Sequence, residues 1–131
     1  MQPRKHHILC VDDDPDTCAA VSILLGLSGY EVMAAHTAGD AVRLAQSERF
    51  DLYLLDERLP DRTGAELCRQ IRALDPEAPI LFCSGSVEEA DRQAALSAGA
   101  QAYLIKPDSI DLLEPTIARL LSHGSTAGRA V

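Results

Sequence analysis

Three carboxylates, one hydroxyl and one ammonium end short apolar runs at widely separated points of this chain. Asp12 and Asp13 follow the run His7–Val11, Asp56 follows Leu52–Leu55, Ser84 follows Ile80–Cys83, and Lys106 follows Ala102–Ile105. Carboxylates gathered in one cleft repel each other unless a cation joins them. Donors that are all oxygen select a hard ion, and Mg²⁺ suits one or two carboxylates completed by water and a phosphate. Lys106 supplies a point charge for a phosphate oxygen or a carboxylate, and Ser84 a hydroxyl that can donate to a phosphoryl oxygen. The set suits phosphoryl transfer, with one carboxylate attacking while the cations neutralise developing charge. Taken singly, each piece is ordinary: an Asp run before Pro15 is a helix cap, Ser84-Gly85 a turn, Lys106-Pro107 an exposed lysine. Their joint placement at the ends of four runs is what carries meaning.

That placement requires elements that deliver four run ends to one edge. His7–Val11 reads as a strand, and Asp14 can cap a following helix with Pro15 at its first position. Cys18, Val21 and Leu25 recur at helical spacing, and Gly29 stops that helix. Glu31–Ala35 is a second strand. Thr37 caps the next helix, with Ala41, Leu44 and Ala45 inward. After the strand Leu52–Leu55 comes a polar loop with Pro60 and Gly64, then a helix marked by Leu67, Ile71 and Leu74. Ser86-Val87-Glu88-Glu89 carries the capping-box pattern and opens a helix to about Ala98. Leu112 or Leu113, with Ile117, Leu120 and Leu121, forms the last helix, and residues 122–131 read as a mobile small-residue tail. Five continuous apolar strands alternating with helices imply α/β architecture with a parallel sheet covered on both faces. In such sheets ligands bind at the carboxyl ends of the strands, near the reversal of strand order.

The bulk numbers agree with one globular domain. The chain has 131 residues, 47% hydrophobic and 24% charged. A net charge of −8 repels phosphate backbones and anionic lipid, so neither direct nucleic-acid binding nor membrane association is expected. Cys10, Cys18, Cys68 and Cys83 form no CxxC and sit within apolar runs, which predicts buried free thiols and a cytoplasmic protein. No apolar stretch approaches the roughly 20 residues that span a bilayer.

Four blocks in order carry a family likeness: Val11-Asp12-Asp13-Asp14-Pro15, Leu55-Asp56-Glu57-Arg58-Leu59-Pro60 with Gly64, Ser84-Gly85, and Tyr103-Leu104-Ile105-Lys106-Pro107. Over 7–121 the chain resembles the response-regulator receiver domains of two-component signalling, with 1–6 an extension and 122–131 a tail or the start of a linker. The resemblance implies a three-layer flavodoxin-like (βα)5 fold, doubly wound, with strand order 2-1-3-4-5. It implies Asp56 as phosphoacceptor and Asp13 as direct Mg²⁺ ligand, with Asp12 holding the metal through water. It implies the Arg58 backbone carbonyl as a further ligand, Lys106 as the phosphate-binding lysine, and Ser84 and Tyr103 as switch residues. Tyr103 would rotate inward on activation, changing the face of helix four, strand five and helix five. The implied partners are a sensor histidine kinase or phosphotransfer protein as donor, and an output protein or domain that the sequence does not name. A phosphorylation-dependent dimer is a further implied state, and the Lys106–Pro107 bond is expected cis.

Some positions depart from the pattern. Asp108 stands where the family has Phe, and Pro115 predicts a late start or a bend in the last helix. Gln101-Ala102 replace paired acids used for dimerisation in one DNA-binding subgroup. Asp14 adds a third acid to the first block. Competing readings include an isolated receiver of a longer DNA-binding regulator or hybrid kinase, and a phosphate-independent degenerate receiver acting as a protein-binding module. An aspartyl-phosphate hydrolase needs a second carboxylate where Arg58 stands, so the chain is not expected to be an enzyme beyond its own phosphorylation and dephosphorylation. A flavin carrier needs a Gly- and hydroxyl-rich loop where Asp12-Asp13-Asp14 stand, and His6, His7, His36 and His123 read as surface histidines rather than phosphohistidine carriers.

Overall fold

In the computed structural model, residues 5–106 and 110–130 are described, with side chains to Lys106 and from Asp111 to Ser122. Five strands alternate with five helices: β1 (His7–Val11), α1 (Pro15–Leu27), β2 (Glu31–Ala35), α2 (Ala38–Ser47), β3 (Leu52–Leu55), α3 (Gly64–Leu74), β4 (Ile80–Ser84), α4 (Glu89–Ser97), β5 (Ala102–Ile105) and α5 (Ile110–Ala130). All pairings are parallel, in the order β2-β1-β3-β4-β5. This is the expected doubly wound arrangement. The chain winds outward from β1 to β2, then crosses to β3 and winds the other way, so strand order reverses between β1 and β3.

Strand periodicity sorts the apolar side chains into two layers. Ile8, Cys10, Leu52, Leu54 and Leu81 face Cys18, Val21 and Leu25 of α1 and Leu113, Ile117, Leu120 and Leu121 of α5. Leu9, Val11, Tyr53, Leu55, Ile80 and Phe82 face Ala38 and Ala41 of α2, Leu67, Cys68 and Ile71 of α3, and Ala95 of α4. Leu113, not Leu112, turns inward on α5; Leu112 is exposed, as is Leu74 at the end of α3. Of the cysteines, Cys10, Cys18 and Cys68 are buried and Cys83 is half-buried, all free.

Caps follow the sequence at three helices and depart from it at a fourth. Asp14 accepts from Asp16 N at α1, with Pro15 in the first turn. Thr37 accepts from Asp40 N at α2. Thr63 and Glu66 form a reciprocal capping box at α3. At α4 the capping box expected from Ser86 is absent. The helix starts at Glu89 with Glu88 as its cap and no side-chain bond there. Ser86 instead accepts from Glu88 N and donates its hydroxyl to Asp91 at 2.5 Å. Its carbonyl is held by the Tyr103 hydroxyl, which keeps the 85–88 segment off the helix axis. At the other end of the chain, α5 is already helical at Ile110, so Pro115 does not delay its start. It does leave the Asp111 carbonyl without its helical donor. The backbone stays helical to Ala130, where a mobile tail is expected from residue 122. Pro107, with its expected cis bond, and Asp108 lie outside the described residues.

Candidate functional site

Sheet register brings Asp12 and Asp56 together. Val11 pairs with Leu55, so the next residue of each strand leaves the sheet side by side at the β1/β3 reversal. Backbone bonds fix both: Asp12 N donates to the Ala35 carbonyl at 3.0 Å and Asp56 N to the Val11 carbonyl at 3.0 Å. One carboxylate oxygen each from Asp12, Asp13 and Asp56 lies within 4.8 Å of the others, with Asp12 buried, Asp56 half-buried and Asp13 exposed. A hard divalent cation fits that donor set: all oxygen, anionic, one ligand open to solvent. Asp14 is not part of it, because its carboxylate is spent on Asp16 N and the Thr17 hydroxyl.

Lys106 enters from β5. Its Nζ lies 2.5 Å from Asp12 Oδ2 and 3.7 Å from Asp56 Oδ2. Asp56 Oδ1 accepts from Glu57 N at 2.7 Å, and Asp12 Oδ1 from Asp14 N at 2.9 Å. Ser84 ends β4 with 2% exposure; its carbonyl accepts from Lys106 N at 2.8 Å and its hydroxyl oxygen from Ser86 N at 3.2 Å. Tyr103 stacks on Phe82 with ring centroids 6.0 Å apart and donates its hydroxyl to the Ser86 carbonyl at 3.2 Å. Tyr103 is thus tied to the very segment that follows Ser84.

The electrostatics are those of a cleft short of positive charge. Burial raises the Asp56 carboxyl above its ordinary value; Lys106 and the Glu57 N–H oppose this, while Asp12 and Asp13 add to it. Burial works against the Lys106 ammonium, but the Asp12 bond and the Asp56 charge outweigh it and hold Lys106 above its ordinary value.

The β3–α3 loop is braced from several sides. Arg58 and Thr63 form an antiparallel bridge, and Leu59 N donates to the Arg62 carbonyl. The Asp61 carboxylate reaches α2, accepting from Ala38 N and Gly39 N at 2.9 Å each. Gly64 N donates to the Glu57 carbonyl at 2.7 Å, and a Cβ at Gly64 would collide with the Asp56 carbonyl oxygen and meet Phe82 Cε2 at 2.7 Å. Only glycine therefore lets α3 begin this close to Asp56.

The structure brings together Asp12, Asp13, Asp56 and Lys106, places Ser84 at the end of β4 and Tyr103 within β5 opposite Phe82, and puts Arg58 in the braced loop. Three contributors were missed in the sequence. Asp61 acts on a helix more than twenty residues earlier, so no local pattern betrays it. Glu57 is 6% exposed, and its Oε2 has no hydrogen-bond partner among the described residues. Burial, then Asp91 and Asp56, raise its carboxyl. Its signal was a second acid two places beyond an apolar strand, directly after Asp56. His36, expected at the surface, is half-buried with Nδ1 2.9 Å from the Asp12 carbonyl oxygen.

Comparison with known proteins bears on the same residues. The family profile described as "Response regulator receiver domain" matches residues 8–118. The transcriptional regulatory protein ZraR of Salmonella typhimurium is 37% identical over 124 residues, which is 95% of this chain and 28% of that protein. The transcriptional regulatory protein PrrA of Mycobacterium tuberculosis is 38% identical over 121 residues, 92% of this chain and 52% of that protein. A CheY-like receiver domain from Methanospirillum hungatei superposes with a TM-score of 0.88 at 34% identity, covering 95% of this chain and 99% of that one. The chain therefore spans about a quarter to a half of the length of these two curated relatives.

Proposed function

The chain belongs to the response regulator receiver domain family, and from that premise we propose that Asp56 accepts a phosphoryl group from a phosphohistidine of a sensor histidine kinase or phosphotransfer protein. The observation that carries this reading is the meeting of Asp12, Asp13, Asp56 and Lys106 at the reversal of strand order. An Asp56 carboxylate oxygen attacks phosphorus, the donor's P–N bond breaks, and the imidazole leaves with a proton. Lys106 neutralises charge on the phosphoryl oxygens, and Ser84 donates its hydroxyl to one of them. Asp12, Asp13, Asp56 and the Arg58 carbonyl would hold Mg²⁺, which when bound supplies positive charge for the same oxygens.

Phosphorylation adds negative charge and acceptor oxygens beside Ser84. Drawing Ser84 toward them shifts the 85–88 segment, to which Tyr103 is bonded, and so alters the α4–β5–α5 face seen by an output protein or domain. The extra length of ZraR and PrrA supports an output attached to such a receiver, and a separate output protein meets the same face. No helix among the described residues is long and apolar enough to cross a membrane. We place the domain in the cytoplasm with its kinase donor, at 7–121.

The test is intact mass after incubation with Mg²⁺ and acetyl phosphate. Wild type should gain one phosphoryl group; Asp56→Asn and a metal-free sample should gain none. Equal labelling of Asp56→Asn would remove Asp56 as the acceptor, and no labelling of wild type by either acetyl phosphate or a panel of phosphorylated kinases would overturn the reading.

A further inference from the structure

Directly beneath the phosphorylation cleft lie two thiols outside the phosphoryl-transfer set. Cys10 on β1 and Cys18 on α1 are each 2% exposed, and their sulfurs are 3.8 Å apart. Cys18 Sγ also lies 3.6 Å from the Asp12 carbonyl oxygen and 3.8 Å from His36 Nδ1. A cavity of about 50 Å³, lined by Cys10, Asp12, Thr17, Asp56, Cys83 and Lys106, joins this thiol layer to the cleft. Cys10 and Asp56 thus line the same cavity.

We propose that Cys10 and Cys18 form a reversible disulfide, a second covalent-modification site of this domain, made by a small hydroperoxide that enters through the cleft. A disulfide needs sulfurs roughly 2.05 Å apart, so the pair must close by about 1.8 Å. The two cysteines are eight residues apart, and only the turn at residues 12–14 separates their elements, so a small shift of the start of α1 suffices. The chemistry balances in two steps. One thiol takes the outer oxygen of the hydroperoxide as its O–O bond breaks, giving a sulfenic acid and the corresponding alcohol, or water where the oxidant is hydrogen peroxide. The second thiol then displaces that oxygen as water, carrying off both protons and leaving the S–S bond. Disulfides inside cells are as a rule transient or redox-sensing, in keeping with a reversible bond. Cys68 takes no part, because it lies on the opposite face of the sheet with its thiol donating to the Ala98 carbonyl.

The consequence for signalling rests on the receiver reading; the bond itself does not. Cys10 precedes Asp12 by two residues, and closing the bond draws Cys18 Sγ off the Asp12 carbonyl. The Asp12–Asp13 turn moves with it. Displacing cleft groups by about 1 Å slows phosphorylation of Asp56 by about tenfold or more.

The full chain is treated with hydrogen peroxide under native conditions, alkylated, and mapped by peptide mass. The expected product is a Cys10–Cys18 cross-linked peptide, lost on adding dithiothreitol and absent from both Cys10→Ala and Cys18→Ala. Far-UV circular dichroism checks that each variant is folded. Acetyl-phosphate labelling of the same oxidised sample should slow and recover on reduction, while Cys18→Ala keeps its rate under peroxide. No Cys10–Cys18 peptide, or cross-links made only through Cys83 or Cys68, overturns the proposal. A cross-link that leaves labelling unchanged overturns its regulatory part. Failure of the reduced protein to label at all would instead count against the receiver reading, with the cross-link standing on its own.

Discussion

Lys106 sits closer to Asp12 than to Asp56, at 2.5 Å against 3.7 Å. It therefore occupies, as an ammonium, part of the charge-balancing role that a divalent cation would take. Truncating it removes a competitor and a phosphoryl contact at once. In Lys106→Ala, Mg²⁺ binding measured by calorimetry should tighten by about three- to tenfold. Acetyl-phosphate labelling should slow by about a hundredfold. Weaker Mg²⁺ binding would mean that Lys106 positions the carboxylates rather than competing for them. Gly64 makes a second argument at this scale. Gly64→Ala places a methyl group against the Asp56 carbonyl and Phe82, both in packed surroundings. It should destabilise the protein by about 2–3 kcal/mol in urea unfolding and impair labelling as well. The presence of Lys106 at a strand end was legible in the sequence; its choice of Asp12 as closest partner was not, since that distance depends on the spacing of β1 and β5 across the sheet.

Among the elements, α4 is the most weakly held. Ala95 is its one buried residue, and it lacks a side-chain cap at its start. The segment before it is fastened instead by Ser86 to Asp91 and by Tyr103 to the Ser86 carbonyl. Few buried apolar contacts mean a low local opening free energy. Amide hydrogen exchange should therefore be faster in α4 than in α3, whose Ala65, Leu67, Cys68 and Ile71 are all buried. Equal protection of the two helices would contradict this. The low stability suits an element that must shift when Ser84 moves. The Asp61 carboxylate is the contrasting device, since it ties the β3–α3 loop to the start of α2 at two N–H groups. Asp61→Ala should lower the midpoint of chemical denaturation, as loss of a helix cap does. Helix periodicity placed α1, α2, α3 and α5 in the sequence. At α4 a capping pattern at Ser86 pointed to the wrong start, because the Ser86 hydroxyl and carbonyl are claimed by Asp91 and Tyr103, and Tyr103 lies on another strand.

For the molecule as a whole, the buried titratable groups point to alkaline lability. Burial pushes the Tyr53 hydroxyl from 10.0 to about 12, and burial pushes the Cys68 thiol from 9.0 to about 11. Both hold their protons more tightly in the folded state, so the unfolded chain ionises first and stability falls as pH rises from about 9. Lys106 acts in the same direction: its raised value means a stabilisation present below its unfolded value and lost as pH climbs through the folded one. Urea denaturation at about pH 11 should give a stability lower by about 3 kcal/mol than at about pH 8. Tyr53→Phe should flatten that slope, and a pH-independent midpoint over this range would refute the assignment. The parallel sheet explains why such groups are deep. With helices on both faces, Tyr53 on β3 and Cys68 on α3 meet in the layer between sheet and helix.

The amino-acid sequence by itself determined the alternation of strands and helices and the residues that end each strand. Backbone geometry permits only two periodicities, and the apolar residues of this chain follow them closely. It also determined which groups reach the cleft, since in a parallel sheet every strand's carboxyl end lies at the same edge. Tertiary structure alone decided the pairings: Lys106 with Asp12, Asp61 with α2, Tyr103 with the Ser86 carbonyl, and Cys10 with Cys18. Those contacts join residues on different elements, at distances set by how strands register and helices pack, and no local pattern along the chain encodes such distances.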